Sequence, residues 1–248
     1  MGMIDVHFDF TTDTPNYWDT VWNDHLGYGG TGKDPDAASK TMQLYHSLLW
    51  SKPLPNGQTM ELAVGKGGNY LTWNKFRFGS DSITASFRHK RYRDKIEQVY
   101  NAIPNYRSFM EDFIRRTYTI GGSIIFPKTN SFNCARGCNA KIKDRWDLSL
   151  ECIRRFYNNE ESPLYDNLLK NKDFFDLFVD FKGYVDFFFL QDCVSPDYST
   201  VYQWIGNDDF SESPLPKTVE EYLQWIEKQL EFVEKRNKRI EASLFETV

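Results

Sequence analysis

Residues 133–157 read NCARGCNAKIKDRWDLSLECIRRFY, and their periodicity decides how the chain is organised. From about Ile142 the spacing predicts a helix running to Tyr157. Ile142, Trp146, Leu150, Ile153 and Tyr157 recur at steps of four, four, three and four residues. Leu148, Cys152 and Phe156 draw a second apolar line on another side. A helix that is apolar on two sides is buried over most of its circumference. The same turns carry Asp144, Arg145, Asp147, Glu151, Arg154 and Arg155. Charges on such a helix must be paired or face a cleft, because an unpaired buried charge is very costly.

Outward from this helix, the 248-residue length is enough for a sizeable core. An aromatic content of 17% argues against disorder and for large packed faces or a ligand cleft. Neither a secretory signal nor a membrane span is expected. The N-terminal MGMIDVHFDF lacks a basic start and an apolar run. The most apolar stretch, 174–190, is broken by Asp176, Asp180, Lys182, Gly183 and Asp186. Position 6 is Val, so the myristoylation pattern fails. Four cysteines without a signal fit reduced thiols and a cytoplasmic location, and Cys134-x3-Cys138 alone does not make a zinc spacing.

A net charge of −5 hides an uneven distribution. Residues 75–155 hold 17 Lys and Arg against 8 Asp and Glu, and the rest holds 13 against 27. A basic middle between acidic flanks either forms an anion-binding surface or pairs with the flanks in the fold.

The remaining elements read as follows. A strand is expected at Ile4–Phe10, a helix start at Thr14-Pro15, and a helix from about Lys40 to Trp50. Strands are expected at 59–64, 70–73 and 83–87, with helices over 91–102 and 106–117. TIGGSIIF, 119–126, is the candidate central strand. Shorter helices are expected near 163–170 and 173–181, an ambiguous segment at 185–190 and a late strand at 201–205. A capping box of Thr218 and Glu221 opens a long last helix to about Leu244. The sum is one α+β domain over residues 1–248, predominantly helical, with a small mixed or antiparallel sheet and a long C-terminal helix.

Several motifs have bland readings. Gly27-x4-Gly32-Lys33 resembles most of a phosphate-binding loop, but Asp34-Pro35 follows where Ser or Thr is needed, so a surface loop is expected. The basic run 88–95, with Tyr92 inside it, suits phosphate and bases but equally suits a solvated helix face. His7, His25, His46 and His89 are scattered, and His46 is expected to be structural or superficial. Asp144, Asp147 and Glu151, at i, i+3 and i+7, share one helix face. They can hold a hard divalent cation or accept salt bridges from Arg136, Arg145 or Arg155.

Thr119-Ile-Gly-Gly with Phe126-Pro127, the ARG at 135–137, KIKDRWDLSLECIRRFY at 141–157 and DFKGYVDFFFLQD at 180–192 resemble an uncharacterised family of bacterial proteins, a domain of unknown function. LYHSLLWSKPLPNG, residues 44–57, fits it too, so the resemblance covers nearly the whole chain. It implies a bacterial, cytoplasmic protein and carries no established activity, cofactor or catalytic residue.

On the residues alone, the leading expectation is a cleft near 133–157 that binds an anionic ligand, a nucleotide or nucleic acid. Arg136, Lys141, Arg145, Arg154 and Arg155 would address phosphate, and Trp50 or Trp146 would stack. The alternative is a metal-dependent hydrolase or nuclease holding Mg or Mn on Asp144, Asp147 and Glu151. A third reading is a protein–protein interaction module. No cofactor is expected outside the metal alternative.

Overall fold

The structure is a computed structural model that describes residues 4–23, 32–65, 70–87, 90–138, 141–206, 210 and 215–246. Four strands, β1 (Ala63–Val64), β2 (Leu71–Trp73), β3 (Phe76–Ser82) and β4 (Ser123–Pro127), form one antiparallel sheet in the order β1-β2-β3-β4. Asn74 turns β2 into β3 at φ +51°, a conformation that Asn tolerates better than most residues. The β3–β4 register puts Gly79 opposite Phe126, and a Cβ there would sit 2.7 Å from that ring. Gly79 is therefore what allows the two strands to close. β4 lies at the end of the sheet rather than in its centre, yet all five of its residues are buried.

The helices are α1 (Tyr17–Asn23), α2 (Pro35–Ala38), α3 (Lys40–Trp50), α4 (Lys90–Ala102), α5 (Tyr106–Thr117), α6 (Trp146–Tyr157), α7 (Tyr165–Leu169), α8 (Lys172–Phe175), α9 (Phe181–Phe187) and α10 (Val219–Glu246). The helix read from Ile142–Tyr157 is central, with Ile142, Trp146, Leu150 and Ile153 each at most 7% exposed. Its hydrogen-bonded part starts only at Trp146. α10 opens at the expected cap, where Thr218 Oγ1 accepts from Glu221 N at 3.2 Å. One face of it is apolar, and it lies against α4, α5 and the short 3-10 turns at Ile120–Gly122 and Gln191–Cys193.

Some expectations need correcting. Ile4–Phe10 forms turns instead of a strand, because Asp5 and Asp9 accept hydrogen bonds from the backbone N–H two residues on. Asn16, at φ +50°, delays the first helix to Tyr17, and the Thr14 hydroxyl donates back to Phe10 O. Residues 83–87 are extended but unpaired in the sheet; β3, immediately before them, is the true partner of β4. Of 201–205 only Val201 pairs, in one bridge to Val194. Of 185–190, residues 185–187 belong to α9 and the rest turn out of it. Residues 27–31 of the candidate phosphate loop, His25, His89 and the side chains of 88–95 other than Tyr92 lie outside the described residues.

Behind the sheet, His46 on α3 is wholly buried, with Nε2 2.9 Å from Ser123 Oγ and Nδ1 3.1 Å from Tyr70 Oη. Ser123 Oγ also donates to Ile120 O at 3.3 Å, so the neutral Nε2–H tautomer satisfies all three groups. Burial, reinforced by the charge of Arg236, lowers the His46 pKa from 6.5 to about 3. The unfolded chain therefore binds a proton below 6.5 that the folded chain refuses. The stability this site contributes is whole above that pH and is lost as pH falls towards 3. Denaturant titrations at pH 7, 6 and 5 should show stability falling by up to about 1.4 kcal/mol per unit from this site, and His46→Gln should flatten that slope. An unchanged slope in the variant would contradict the assignment.

Candidate functional site

A polar cavity of about 180 Å³ opens between the extended segment 83–87, the end of α5 and the loop before α6. Its floor is made by the segment 83–87, which α4 and α10 hold from behind. Ala85 N donates to Gln229 Oε1 at 2.6 Å, Ala85 O accepts from Trp225 Nε1 at 2.6 Å, and Ser86 O accepts from Tyr222 Oη at 2.8 Å. A strand that lacks sheet partners is thus satisfied by side chains, which leaves its other side available to the cavity.

Arg136 projects into this space, where its Nη1 is hydrogen-bonded and its Nε, without a hydrogen-bond partner among the described residues, and Nη2 lie within ion-pair reach of carboxylates. Nη1 donates to Thr84 O, Nε lies 3.1 Å from Asp144 Oδ1, and Nη2 lies 3.6 Å from Asp81 Oδ1. Asp81 in turn accepts from Ala135 N at 2.8 Å and Arg136 N at 3.3 Å, so the loop is fixed around its own arginine. Asp36 sits beside them, taking Ser80 Oγ at 2.8 Å and Ser82 N at 3.2 Å, while Asp34 caps α2 at the rim. Among the described residues these carboxyls outnumber the one guanidinium, which pairs with two of them, Asp144 and Asp81.

The titrations reflect that imbalance. Burial, with Asp34 and Asp81 adding to it, raises the Asp36 carboxyl well above the usual range. Burial also lifts Asp81 to about 6, against the opposing pull of Arg136. Arg136 itself is pushed up, because Asp144 and Asp81 outweigh the cost of its burial. Two carboxyls whose titrations are both raised by burial, beside an arginine in a polar cavity, form an arrangement that acid–base chemistry uses.

The residues singled out from the sequence fall in three places. Arg136 and Asp144 line the cavity. Arg145 and Asp147 form a fully buried pair deeper in, where Asp147 also accepts Trp204 N at 2.8 Å and Arg145 donates to Ile205 O at 3.1 Å. Arg154 and Arg155 both clasp Glu151, at 2.8 Å each. Asp144, Asp147 and Glu151 thus engage different arginines, and among the described residues no group of three or more His, Cys, Asp or Glu gathers as metal ligands. Lys141 is exposed. Trp50 and Trp146 are at most 1% exposed, so their rings are core.

The family-model comparison finds a match to the family of unknown function DUF6994 over residues 4–240 of this chain. The chain belongs to that family. Among curated proteins and solved structures, nothing matches it. As a family member it carries no transferable site, and the cavity stands on its own geometry. Asp34, Asp36, Asp81 and Thr84 escaped the sequence reading because they come from separate segments. Only the fold shows that Asp81 pairs with Arg136, that Thr84 O accepts from it and that Asp36 lies within reach of its charge.

The Arg145–Asp147 pair gives a direct check. Arg145→Met alone should cost about 3–5 kcal/mol, since it leaves Asp147 buried without its cation. Arg145→Met combined with Asp147→Leu should cost markedly less by urea denaturation. Equal losses for the single and double variants would mean the charges are not coupled.

Proposed function

We propose that the Arg136 cavity binds a small polar ligand carrying a cationic or hydrogen-bond-donating group. The observation behind this reading is the setting of Arg136, whose charge is flanked by Asp144 and Asp81 and whose Nη1 donates to Thr84 O. What the cavity presents to a ligand includes the Asp34 carboxylate and hydroxyls such as those of Ser82 and Thr84. Tyr92, Tyr118 and Phe87 supply aromatic wall against which a cation or flat group packs. At about 180 Å³ it suits a small molecule better than a polymer.

An anionic ligand is the second reading. The excess of basic residues over 75–155 favours it, but Arg145, Arg154 and Arg155 are each engaged with a carboxylate. A metal-bearing site on Asp144, Asp147 and Glu151 would need those carboxylates released from three different arginine partnerships. A cytoplasmic setting accords with free thiols at all four cysteines. Among the described residues no helix is long and apolar enough to cross a membrane.

Titration calorimetry against agmatine and methylguanidine on one side, and AMP and inorganic phosphate on the other, separates the readings. Binding of the guanidino compounds is expected, weakened about tenfold by Asp34→Asn, which keeps the helix cap but removes the charge. Lys235→Ala and Lys238→Ala, at exposed ion pairs on α10, should leave it unchanged. Binding of the anions alone would reverse the proposed sign of the ligand.

A further inference from the structure

A second cleft, of about 560 Å³, shares no lining residue with the Arg136 cavity. Residues 52–55 form one wall and 178–187 the other. Pro53, Leu54, Pro55, Phe178 and Val179 give it an apolar part, Asp180, Lys182 and Asp186 a polar one, and Lys52 lines it as well. The Lys52 ammonium donates to Phe187 O at 2.7 Å and sits 4.0, 4.5 and 5.0 Å from the ring centres of Phe189, Phe187 and Trp50. Among the described residues it has no carboxylate partner.

Next to it is a second unneutralised cation. Arg236, fully buried on α10, stands 5.8 Å from the same Trp50 ring. Its bonds go to carbonyls: Phe188 O at 3.0 Å, Gly121 O at 2.8 Å and Ser123 O at 2.7 Å. The carboxylates of the cleft are occupied elsewhere. Asp180 accepts Gly183 N at 2.7 Å, and Asp186 is held by Lys182, Tyr198 and Gln191. An amine that is desolvated and faces another cation is the setting in which lysine becomes a nucleophile.

The rim of the cleft is strained. Val179 adopts φ +70°, ψ −55°, and Asp180 N bonds to Phe178 O at 2.8 Å, closing a γ-turn with a β-branched residue at its centre. Gly183 makes this possible, since a Cβ on it would lie 2.1 Å from Phe178 O. Val179 is nonetheless 62% exposed, so burial of its side chain does not repay the strain. Strain of this kind collects where the backbone is shaped for a ligand.

We propose that Lys52 is the reactive amine of a site for small aldehydes or ketones. The neutral nitrogen adds to the carbonyl carbon, forming the C–N bond. Both amine protons then leave with the carbonyl oxygen as water, giving an imine. Burial, then the charge of Arg236, supplies the neutral amine by lowering Lys52 from 10.5 to about 7.

The test is reductive labelling of the intact folded protein at pH 7 with 2-butanone and cyanoborohydride, followed by peptide mass spectrometry. Lys52 should be alkylated on the order of tenfold or more faster than the exposed Lys235 and Lys238, and Val179→Trp, which fills the rim, should slow it severalfold. Thermal melting of the variant confirms that the fold is kept. Labelling of Lys52 no faster than of those two lysines, or only after denaturation, overturns the proposal. So does a Val179→Trp protein that folds and labels Lys52 at the wild-type rate.

Discussion

The guanidinium of Arg236 ties distant parts of this fold to one another. From α10 it reaches the carbonyls of Gly121 and Ser123, at the entry to β4, and that of Phe188, just past α9. Its face lies toward Trp50, the last residue of α3. Four parts of the chain far apart in sequence are therefore fixed by one planar cation. Arginine suits this because its donors spread in a fixed fork while its face packs on an aromatic ring. Asn237 adds a second tie to the same turn, accepting Gly121 N at 2.7 Å. The edge strand β4 is buried largely because α10 is locked against the 3-10 turn that precedes it.

Such a clasp leaves an electrostatic debt that neighbouring groups must accommodate. A buried cation among carbonyls, with no carboxylate partner among the described residues, disfavours further positive charge nearby. His46 stays neutral, Lys52 is held low, and Arg236 itself is lowered to about 10 by its burial. The loop around Arg136 shows the opposite case, with more carboxylates than cations and carboxyls pushed upward. The net charge of −5 is thus divided into local regions of opposite sign whose titrations are shifted in opposite directions.

What could be read from the sequence follows from where the physics is local. The apolar rows of α3, α5, α6 and α10 are visible because a helix repeats within one segment, and the Thr218 cap needs only the next turn. β3 was hidden: FRFGSDS alternates poorly because Gly79 must admit Phe126 and Ser80 and Ser82 serve Asp36. In α10 the charged tail reads as solvated, and nothing in KRNKR distinguishes Arg236 from its exposed neighbours. Its burial is set by carbonyls contributed more than 40 residues away. Within the candidate site, Arg136 and Asp144 could be picked out as charges that needed an explanation. Asp36 and Asp81 could not, because their roles depend on which loop comes back to meet them.

A thread of buried hydrogen bonds leads from Tyr70 to Arg236. Tyr70 Oη–H meets the Nδ1 of His46. His46 meets Ser123, whose carbonyl accepts from Arg236. Each member is a neutral hydrogen-bonding group, and the thread ends at a cation with no carboxylate partner among the described residues. A charged histidine midway would be buried beside Arg236 and would turn Nδ1 from an acceptor into a donor facing the Tyr70 hydroxyl. The thread therefore stays satisfied only while its centre is uncharged. Low interior dielectric makes that condition strict, since a half-satisfied buried network is worse than none. The neutrality of His46 is thus required by burial and Arg236 on one side and by the Tyr70 hydroxyl that Nδ1 must accept on the other.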